Sequence, residues 1–156
     1  YKELKKYDTK FIPVDSEHFS IMNLLNNLGN SEVEKILGAA IEKAAIEQGK
    51  SLAEEREEGP SLRAFISLFE RWKMGGALEV EVLKETDEQF DFNVTRCRYA
   101  ETYKEMGLGK IGHLLSCGRD GSFCKGYDPN IELDRGQTIM QGATHCNFRY
   151  RVKKTS

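Results

Sequence analysis

The spacing of apolar residues changes at Gly75 and Gly76, and this change most constrains what the chain can fold into. Upstream of the two glycines, apolar residues recur every three or four positions in segments rich in Leu, Ala, Glu and Lys. Downstream, Leu78, Val80 and Val82 alternate with polar residues. Because a helix repeats about every 3.6 residues and a strand about every 2, the pattern predicts helices first and strands afterwards.

The helical half is divided by start and stop signals. A first helix is expected to end at "NNLGN", residues 26–30. Ser31 followed by Glu34 forms a capping box, and the helix that it starts has an apolar stripe of Val33, Ile36, Leu37, Ala40, Ile41, Ala44 and Ala45. The next helix has Pro60 in its first turn and ends at the two glycines. One of its faces, which we interpret as core, carries Leu62, Phe65, Ile66, Phe69 and Trp72.

Two pairs of alternating segments predict two hairpins. The first pair is "ALEVEVLKET" and "FDFNVTRCRY", and the second is "IELDRGQTIMQG" and "THCNFRYRVKK". Between them, "AETYKEMG" and "GKIGHLLSC" indicate short helices, and "GRDGSFCKGYDPN" indicates a loop rich in Gly and Asp. We therefore predict an α+β fold, with N-terminal helices packed on an antiparallel sheet of about four strands. One domain over 1–156 is expected, with a helical part at 1–58 and a core at 60–152.

Composition excludes several classes of function. The 156 residues carry a formal net charge of −2, which argues against a nucleic-acid partner because phosphate binding requires a basic face. No apolar run approaches the roughly 20 residues of a membrane span. The four cysteines lie in the C-terminal part, and the N-terminus lacks the apolar run of a signal peptide. A cytoplasmic protein with reduced thiols is the expectation.

Alternation in the strands separates the polar residues into faces. In the last strand Cys146, Phe148 and Tyr150 point one way, and the opposite face has His145, Asn147, Arg149 and Arg151. In the second strand, Cys97 is predicted to share a face with Asn93 and Thr95. Neighbouring strand residues point in opposite directions, so His145 and Cys146 require a bulge to enter one pocket.

Among the remaining cysteines, Cys117 has the surroundings of a reactive thiol. It follows a predicted helix and precedes Arg119 and Asp120, and a nearby cation can lower the pKa of a thiol. Cys124 lies in the predicted loop and is interpreted as inert. A zinc site built from Cys97, Cys117, His145 and Cys146 is an alternative, although the usual Cys-x-x-Cys spacing is absent.

Three motifs, "NVTRCRYAETY", "LLSCGRD" and "QTIMQGATHCNFRYR", closely resemble the L-2-amino-thiazoline-4-carboxylic acid hydrolases. With the upstream segment "SLFERWKMGGALEVEVLKET", the resemblance covers about residues 60–152. The chain departs from the expected pattern at Gly118, where the family suggests Asn, and at Asn147, where it suggests Asp. The second departure removes an acid next to a cysteine.

The resemblance implies hydrolytic opening of a cyclic amidine, the thiazoline ring, to a carbamoyl-cysteine, with no cofactor. Such a site requires a carboxylate for the amidinium, a cation for the substrate carboxylate, a nucleophile or base, and a proton donor for the leaving sulfur. The catalytic candidates are Cys117, Asp120, His145 and Cys146. The substrate-binding candidates are Arg96, Cys97, Arg98, Asn93, Thr138, Gly142 and Arg149. Strand geometry favours Cys117 with Asp120 as the reactive centre, and Thr138 and Gly142 shape the turn before the last strand.

Two other kinds of protein are consistent with the same residues. The layout also looks similar to small-molecule-binding domains related to vinyl reductases, which enclose a ligand and do no chemistry. A zinc-stabilised interaction domain is the third hypothesis. The expected partner is a small molecule, without nucleic acid or membrane, and a homodimer is left open.

Overall fold

The structure, a computed structural model, describes residues 30–153. Its helices are α1 (Asn30–Glu54), α2 (Leu62–Trp72), α3 (Arg98–Glu105) and α4 (Gly118–Tyr127). Its strands are β1 (Leu78–Glu85), β2 (Gln89–Cys97), β3 (Ile131–Asp134) and β4 (Cys146–Val152). The α+β prediction is confirmed. The helix end predicted at "NNLGN" falls mainly outside the described residues.

The strands form one antiparallel sheet in the order β1-β2-β4-β3. Both predicted hairpins are present, and they join through β2 and β4, where Phe92 pairs with Phe148 and Phe90 with Tyr150. β4 therefore occupies the interior of the sheet although it comes last among the described strands. The apolar side chains of β2 and β4 form one face, which the helices cover.

Helix α2 packs its aromatic face on the sheet, as its spacing predicted. The ring centroids of Phe69 and Phe92 are 4.5 Å apart, and those of Phe65 and Tyr150 are 4.8 Å apart. Ser61 caps the helix, because its hydroxyl oxygen accepts a hydrogen bond from the backbone N–H of Ala64 at 3.2 Å. Pro60 thus precedes the cap, and its predicted place in the first turn is wrong.

Helix α1 contacts α4 through two glycines. A Cβ atom on Gly126 would overlap the carbonyl oxygen of Ile46, and one on Gly49 would lie 2.7 Å from the backbone nitrogen of Tyr127. Contacts this close are possible only where neither helix presents a side chain. The apolar stripe predicted for α1 is partly wrong: Val33 and Ala45 are buried, but Ile36 is 61% exposed.

The segment predicted as a loop, "GRDGSFCKGYDPN", forms helix α4 instead. Five residues before it, His113–Cys117, make a π-helical turn that runs directly into α4. Phe123, Cys124 and Tyr127 are buried in the core. Their burial outweighs the low helix propensity of the glycines, because tertiary packing regularly overrides propensity. Within residues 30–153, no helix is long and apolar enough to cross a membrane.

The close contact between α1 and α4 at Gly49 and Gly126 leads to a prediction about stability that has an internal control. Gly126→Ala is expected to lower the free energy of unfolding by about 2 kcal/mol or more, because the new methyl group must push α1 and α4 apart. Gly121→Ala, on the same helix with open space around its Cβ position, is expected to be neutral or to stabilise by up to about 1 kcal/mol. Urea unfolding at equilibrium measures both. Equal free energies of unfolding for the two variants would contradict the close contact of α1 and α4 at Gly126.

Candidate functional site

A cavity of about 280 Å³ lies between the helix-covered face of the sheet and the four helices α1 to α4. This volume is close to the lower limit of small-molecule pockets, about 300 Å³. Aromatic rings of Phe69, Trp72, Phe123 and Phe148 form much of its wall. Its thiol, carboxylate and guanidinium groups belong to Cys97, Cys117, Arg119, Asp120, Arg135 and Cys146. The cavity can hold a small molecule.

An ion pair between Arg135 and Asp120 forms the polar wall. Arg135 Nη1 donates to Asp120 Oδ2, and Nη2 donates to the carbonyl oxygen of Cys117 at 2.8 Å. The Arg135 guanidinium also lies 4.9 Å from the ring centroid of Phe148. Burial raises the pKa of the Asp120 carboxyl above its ordinary range, and the charge of Arg135 opposes that shift. Sequence reasoning missed Arg135, because it placed the residue inside the predicted strand "IELDRGQTIMQG". That strand ends at Asp134 in the structure, so the rest of the predicted strand is wrong.

Cys117 ends the π-helical turn and lines the cavity. π-Helical turns are rare and often lie at functional sites. Burial, with the nearby Asp120 carboxylate, raises the pKa of the Cys117 thiol to about 12, although Arg135 acts in the opposite direction. The lowered thiol pKa expected from the sequence is therefore wrong, because desolvation outweighs the cation. The thiol is protonated at neutral pH.

Cys97 faces the cavity because β2 contains a bulge. Val94 pairs with Val80, and Arg96 pairs with Glu79, so Thr95 is an extra residue between the two pairs. The extra residue reverses the alternation that follows. Cys97 thus joins the apolar face, and the prediction that it shares a face with Asn93 and Thr95 is wrong. Burial raises its pKa to about 11.

Cys146 is held by the turn that precedes β4. The backbone N–H of Ile139 donates to Cys146 Sγ at 3.2 Å. Thr138 caps this 3₁₀ turn by accepting from the backbone N–H of Gln141 at 3.3 Å, and Gly142 ends it with φ 99°. Burial raises the pKa of the Cys146 thiol, and the Ile139 N–H and Arg135 oppose the shift. Thr138 and Gly142 shape the turn and lie outside the cavity wall.

The arginines predicted to bind substrate lie away from the cavity. Arg96 Nε donates to Glu101 at 2.8 Å on the surface. Arg149 donates to the Phe92 carbonyl oxygen at 2.8 Å and to Asn93 Oδ1 at 3.0 Å, on the other face of the sheet. Arg98 begins α3 and is half-buried outside the cavity wall. The cavity arginines are Arg119 and Arg135 instead.

His145 and the two departures from the family pattern also lie outside the cavity wall. The His145 side chain contacts Gln137 and Thr144 and does not join Cys146 in the cavity. Asn147 Oδ1 accepts from the backbone N–H of Gln137 at 2.9 Å, on the face opposite the cavity. Gly118 is exposed. An acid at position 147 would therefore point away from the cavity, on the opposite face of the sheet.

The zinc alternative finds no support in residues 30–153. Within that range no three side chains of His, Cys, Asp or Glu are arranged to hold a metal ion. Cys97, Cys117 and Cys146 share the cavity wall, but His145 points elsewhere.

The model of one protein family matches most of the chain. It describes the L-2-amino-thiazoline-4-carboxylic acid hydrolases and matches residues 18–150.

Curated relatives match only short stretches. A 1-deoxy-D-xylulose 5-phosphate reductoisomerase of Pelagibacter ubique is 63% identical over 35 residues, which is 22% of this chain and 9% of that protein. The corresponding enzyme of Leptospira interrogans is 39% identical over 57 residues, which is 34% of this chain and 15% of that protein. The chain thus spans only a small part of these relatives.

A solved structure shares the fold. It is the phenol-responsive sensory domain of the transcription activator PoxR, crystallised with phenol. The TM-score is 0.55 at 12% sequence identity, and the match covers 86% of this chain and 71% of that domain. At this identity the likeness concerns the fold alone.

Because the pKa of the Cys117 thiol is raised, we predict that this thiol is alkylated slowly at neutral pH and that the rate increases steadily with pH. The rate at which iodoacetamide modifies Cys117 is expected to rise about tenfold per pH unit from pH 7 to about 10 without levelling, because only the thiolate reacts. In the urea-unfolded chain the same rate should level near the ordinary pKa of 9.0. Site-resolved mass spectrometry measures both rates. Levelling near neutral pH in the folded protein would show that Cys117 is a thiolate after all.

Proposed function

Because this chain belongs to the L-2-amino-thiazoline-4-carboxylic acid hydrolase family, we propose that it opens a small cyclic amidine by hydrolysis inside the cavity. The proposed substrate class includes 2-amino-thiazoline-4-carboxylate, whose ring carbon between nitrogen and sulfur is electron-poor. The observation that carries the proposal is the Asp120–Arg135 pair beside Cys117, held in an aromatic-walled cavity.

Asp120 is the group that we assign to the amidine and to the attacking water. Its Oδ2 accepts from Arg135, and we assign Oδ1 to the substrate. A carboxylate oxygen complements the charge of an amidinium and accepts a hydrogen bond from one of its N–H groups. The raised pKa of Asp120 makes it a stronger base than an ordinary carboxylate, which suits it to accept a proton from water.

Water is the nucleophile that these protonation states favour. The Cys117 thiol, with a pKa of about 12, is protonated at neutral pH and attacks only if a base removes its proton. Attack by Cys117 or Cys146 is the covalent alternative. In the proposed reaction the thiols of Cys97, Cys117 and Cys146 contact the substrate and shape the cavity.

The proposed step conserves atoms and charge. The oxygen of water bonds to the ring carbon of the amidinium as Asp120 takes one of the water protons, and the ring nitrogen, already protonated in the amidinium, becomes a neutral amine. The bond between that carbon and the ring sulfur then breaks, and the hydroxyl of the adduct loses its proton to solvent and becomes the carbonyl of a carbamoyl group. Asp120 returns the proton to the leaving sulfur, so the product is a carbamoyl-cysteine with a free thiol.

A second candidate function, ligand binding without turnover, is favoured by one observation. The PoxR domain that shares this fold is a sensory domain that responds to phenol. The cavity of the present chain has an aromatic wall and a protonated thiol at Cys117, which suit a phenol-like ligand. Trp72 is the sole tryptophan of the chain and lines the cavity, so its fluorescence reports occupancy by either kind of ligand. In both readings we propose a small-molecule partner and a cytoplasmic location.

Asp120→Asn is expected to lower kcat for 2-amino-thiazoline-4-carboxylate at least about 100-fold, because the general base is lost. Asp134→Asn is the matched control: Asp134 is an exposed acid at the end of β3, and its variant should stay within about twofold of wild type. Cys117→Ser should stay within about tenfold if water attacks. Production of free thiol measures the rate.

Other outcomes of the same experiment choose between the readings. If Cys117→Ser lowers kcat as much as Asp120→Asn does, and mass spectrometry detects a covalent intermediate, the result would show that the Cys117 thiol, and not water, is the nucleophile. Absence of turnover by the folded wild type, with Trp72 quenching by phenol, would favour the binding domain.

A further inference from the structure

We infer that Arg119 selects ligands that carry a carboxylate, by binding that carboxylate at the exposed side of the cavity. The inference rests on the proposed function, because it concerns the substrate of the same site. The sequence patterns suggested Arg96, Arg98 or Arg149 for this role, and all three lie outside the cavity wall.

Arg135, the other arginine of the cavity, already uses both terminal nitrogens of its guanidinium, and its Nε is buried without a hydrogen-bond partner among residues 30–153. Its side chain is only 14% exposed, and two of its nitrogens donate to the Asp120 carboxylate and the Cys117 carbonyl oxygen. The charge of the guanidinium is compensated by Asp120, so the pair attracts an anion weakly. A ligand carboxylate would have to displace the half-buried Asp120 carboxylate, which leaves one charge without a partner.

Arg119 has a different partner. Its Nη2 donates to the side-chain oxygen of Gln48 at 2.7 Å, across the gap between α4 and α1. The amide of Gln48 is neutral, so this bond does not compensate the charge of the guanidinium. Within residues 30–153 Arg119 makes no ion pair, and its charge acts on the neighbouring Asp120 carboxylate, which is already paired with Arg135. A ligand carboxylate that replaced the amide oxygen would exchange a neutral acceptor for a charged one, and hydrogen bonds to charged acceptors are roughly twice as strong.

The charge of Arg119 also reaches the interior of the cavity. Tyr103 lines the cavity from α3, and burial raises its pKa while the charge of Arg119 opposes the shift. Arg119 and Asp120 are consecutive residues in the first turn of α4, and both line the cavity. They present one positive and one negative group to the same space. A small ring with an amidinium and a carboxylate carries the complementary pair.

Two ligands that differ only in the carboxylate test the assignment. Trp72 fluorescence, read immediately after mixing, gives the affinity for 2-aminothiazoline-4-carboxylate and for 2-aminothiazoline. Wild type is expected to bind 2-aminothiazoline-4-carboxylate at least about tenfold more tightly than 2-aminothiazoline, because a hydrogen bond between two charged groups contributes roughly that much affinity. Arg119→Gln should remove this preference and leave the affinity for 2-aminothiazoline within about twofold.

Three further variants separate the charge of Arg119 from its structural contact. Arg119→Lys keeps the charge without the planar fork and should retain part of the preference. Gln48→Leu removes the same hydrogen bond but keeps the charge, so the preference should survive. Arg63→Gln is a control for a lost surface charge, since Arg63 is 80% exposed and pairs with Asp87 instead.

Each outcome decides a different question. A preference that persists in Arg119→Gln, or that Gln48→Leu removes equally, would overturn the assignment of Arg119 and leave the proposed function in place. Failure of both ligands to bind the folded wild type would overturn the proposed function, and this inference with it.

Discussion

The bridge that Arg135 makes to the start of α4 is the interaction on which the site depends. Arg135 lies in the connection between β3 and β4, and it bonds both the Asp120 carboxylate and the Cys117 carbonyl oxygen. A charge removed from water is costly unless it is paired and hydrogen-bonded. The ion pair therefore lowers the free-energy cost of placing each of the two charges in the cavity wall. Together they fix the position of α4 relative to the last hairpin, and with it the spacing of the polar groups.

Desolvation by the aromatic wall determines the chemistry available to the thiols. The same burial that raises the pKa of Cys97 to about 11 raises that of Cys117 to about 12. A buried thiol behaves as a small apolar group with a weak donor, so the cysteine cluster resembles a ligand-contacting surface more than a set of nucleophiles. In the reaction that we propose, the carboxylate of Asp120 is then the base that activates water.

Much of the fold could be predicted from local pattern, and the failures have specific causes. The aromatic face of α2 and the two hairpins follow from periodicity, which depends only on neighbouring residues. Helix α4 could not be predicted, because its glycines suggest a loop and its stability comes from burying Phe123 and Tyr127. Cys97 was assigned to the wrong face, because a single bulged residue, Thr95, reverses the alternation without any sign in composition.

The sequence by itself determined the α+β class, the apolar face of β4 that carries Cys146, and the family, because these depend on periods and motifs within short segments. Only the tertiary structure decided which polar groups meet. Asp120 pairs with Arg135, and Arg119 lies beside Gln48, although the members of each pair come from different parts of the chain. The tertiary structure also places His145 outside the cavity. The physical origin of these positions is packing: the glycine contacts of α1 and α4 and the strand order set which side chains share one desolvated space.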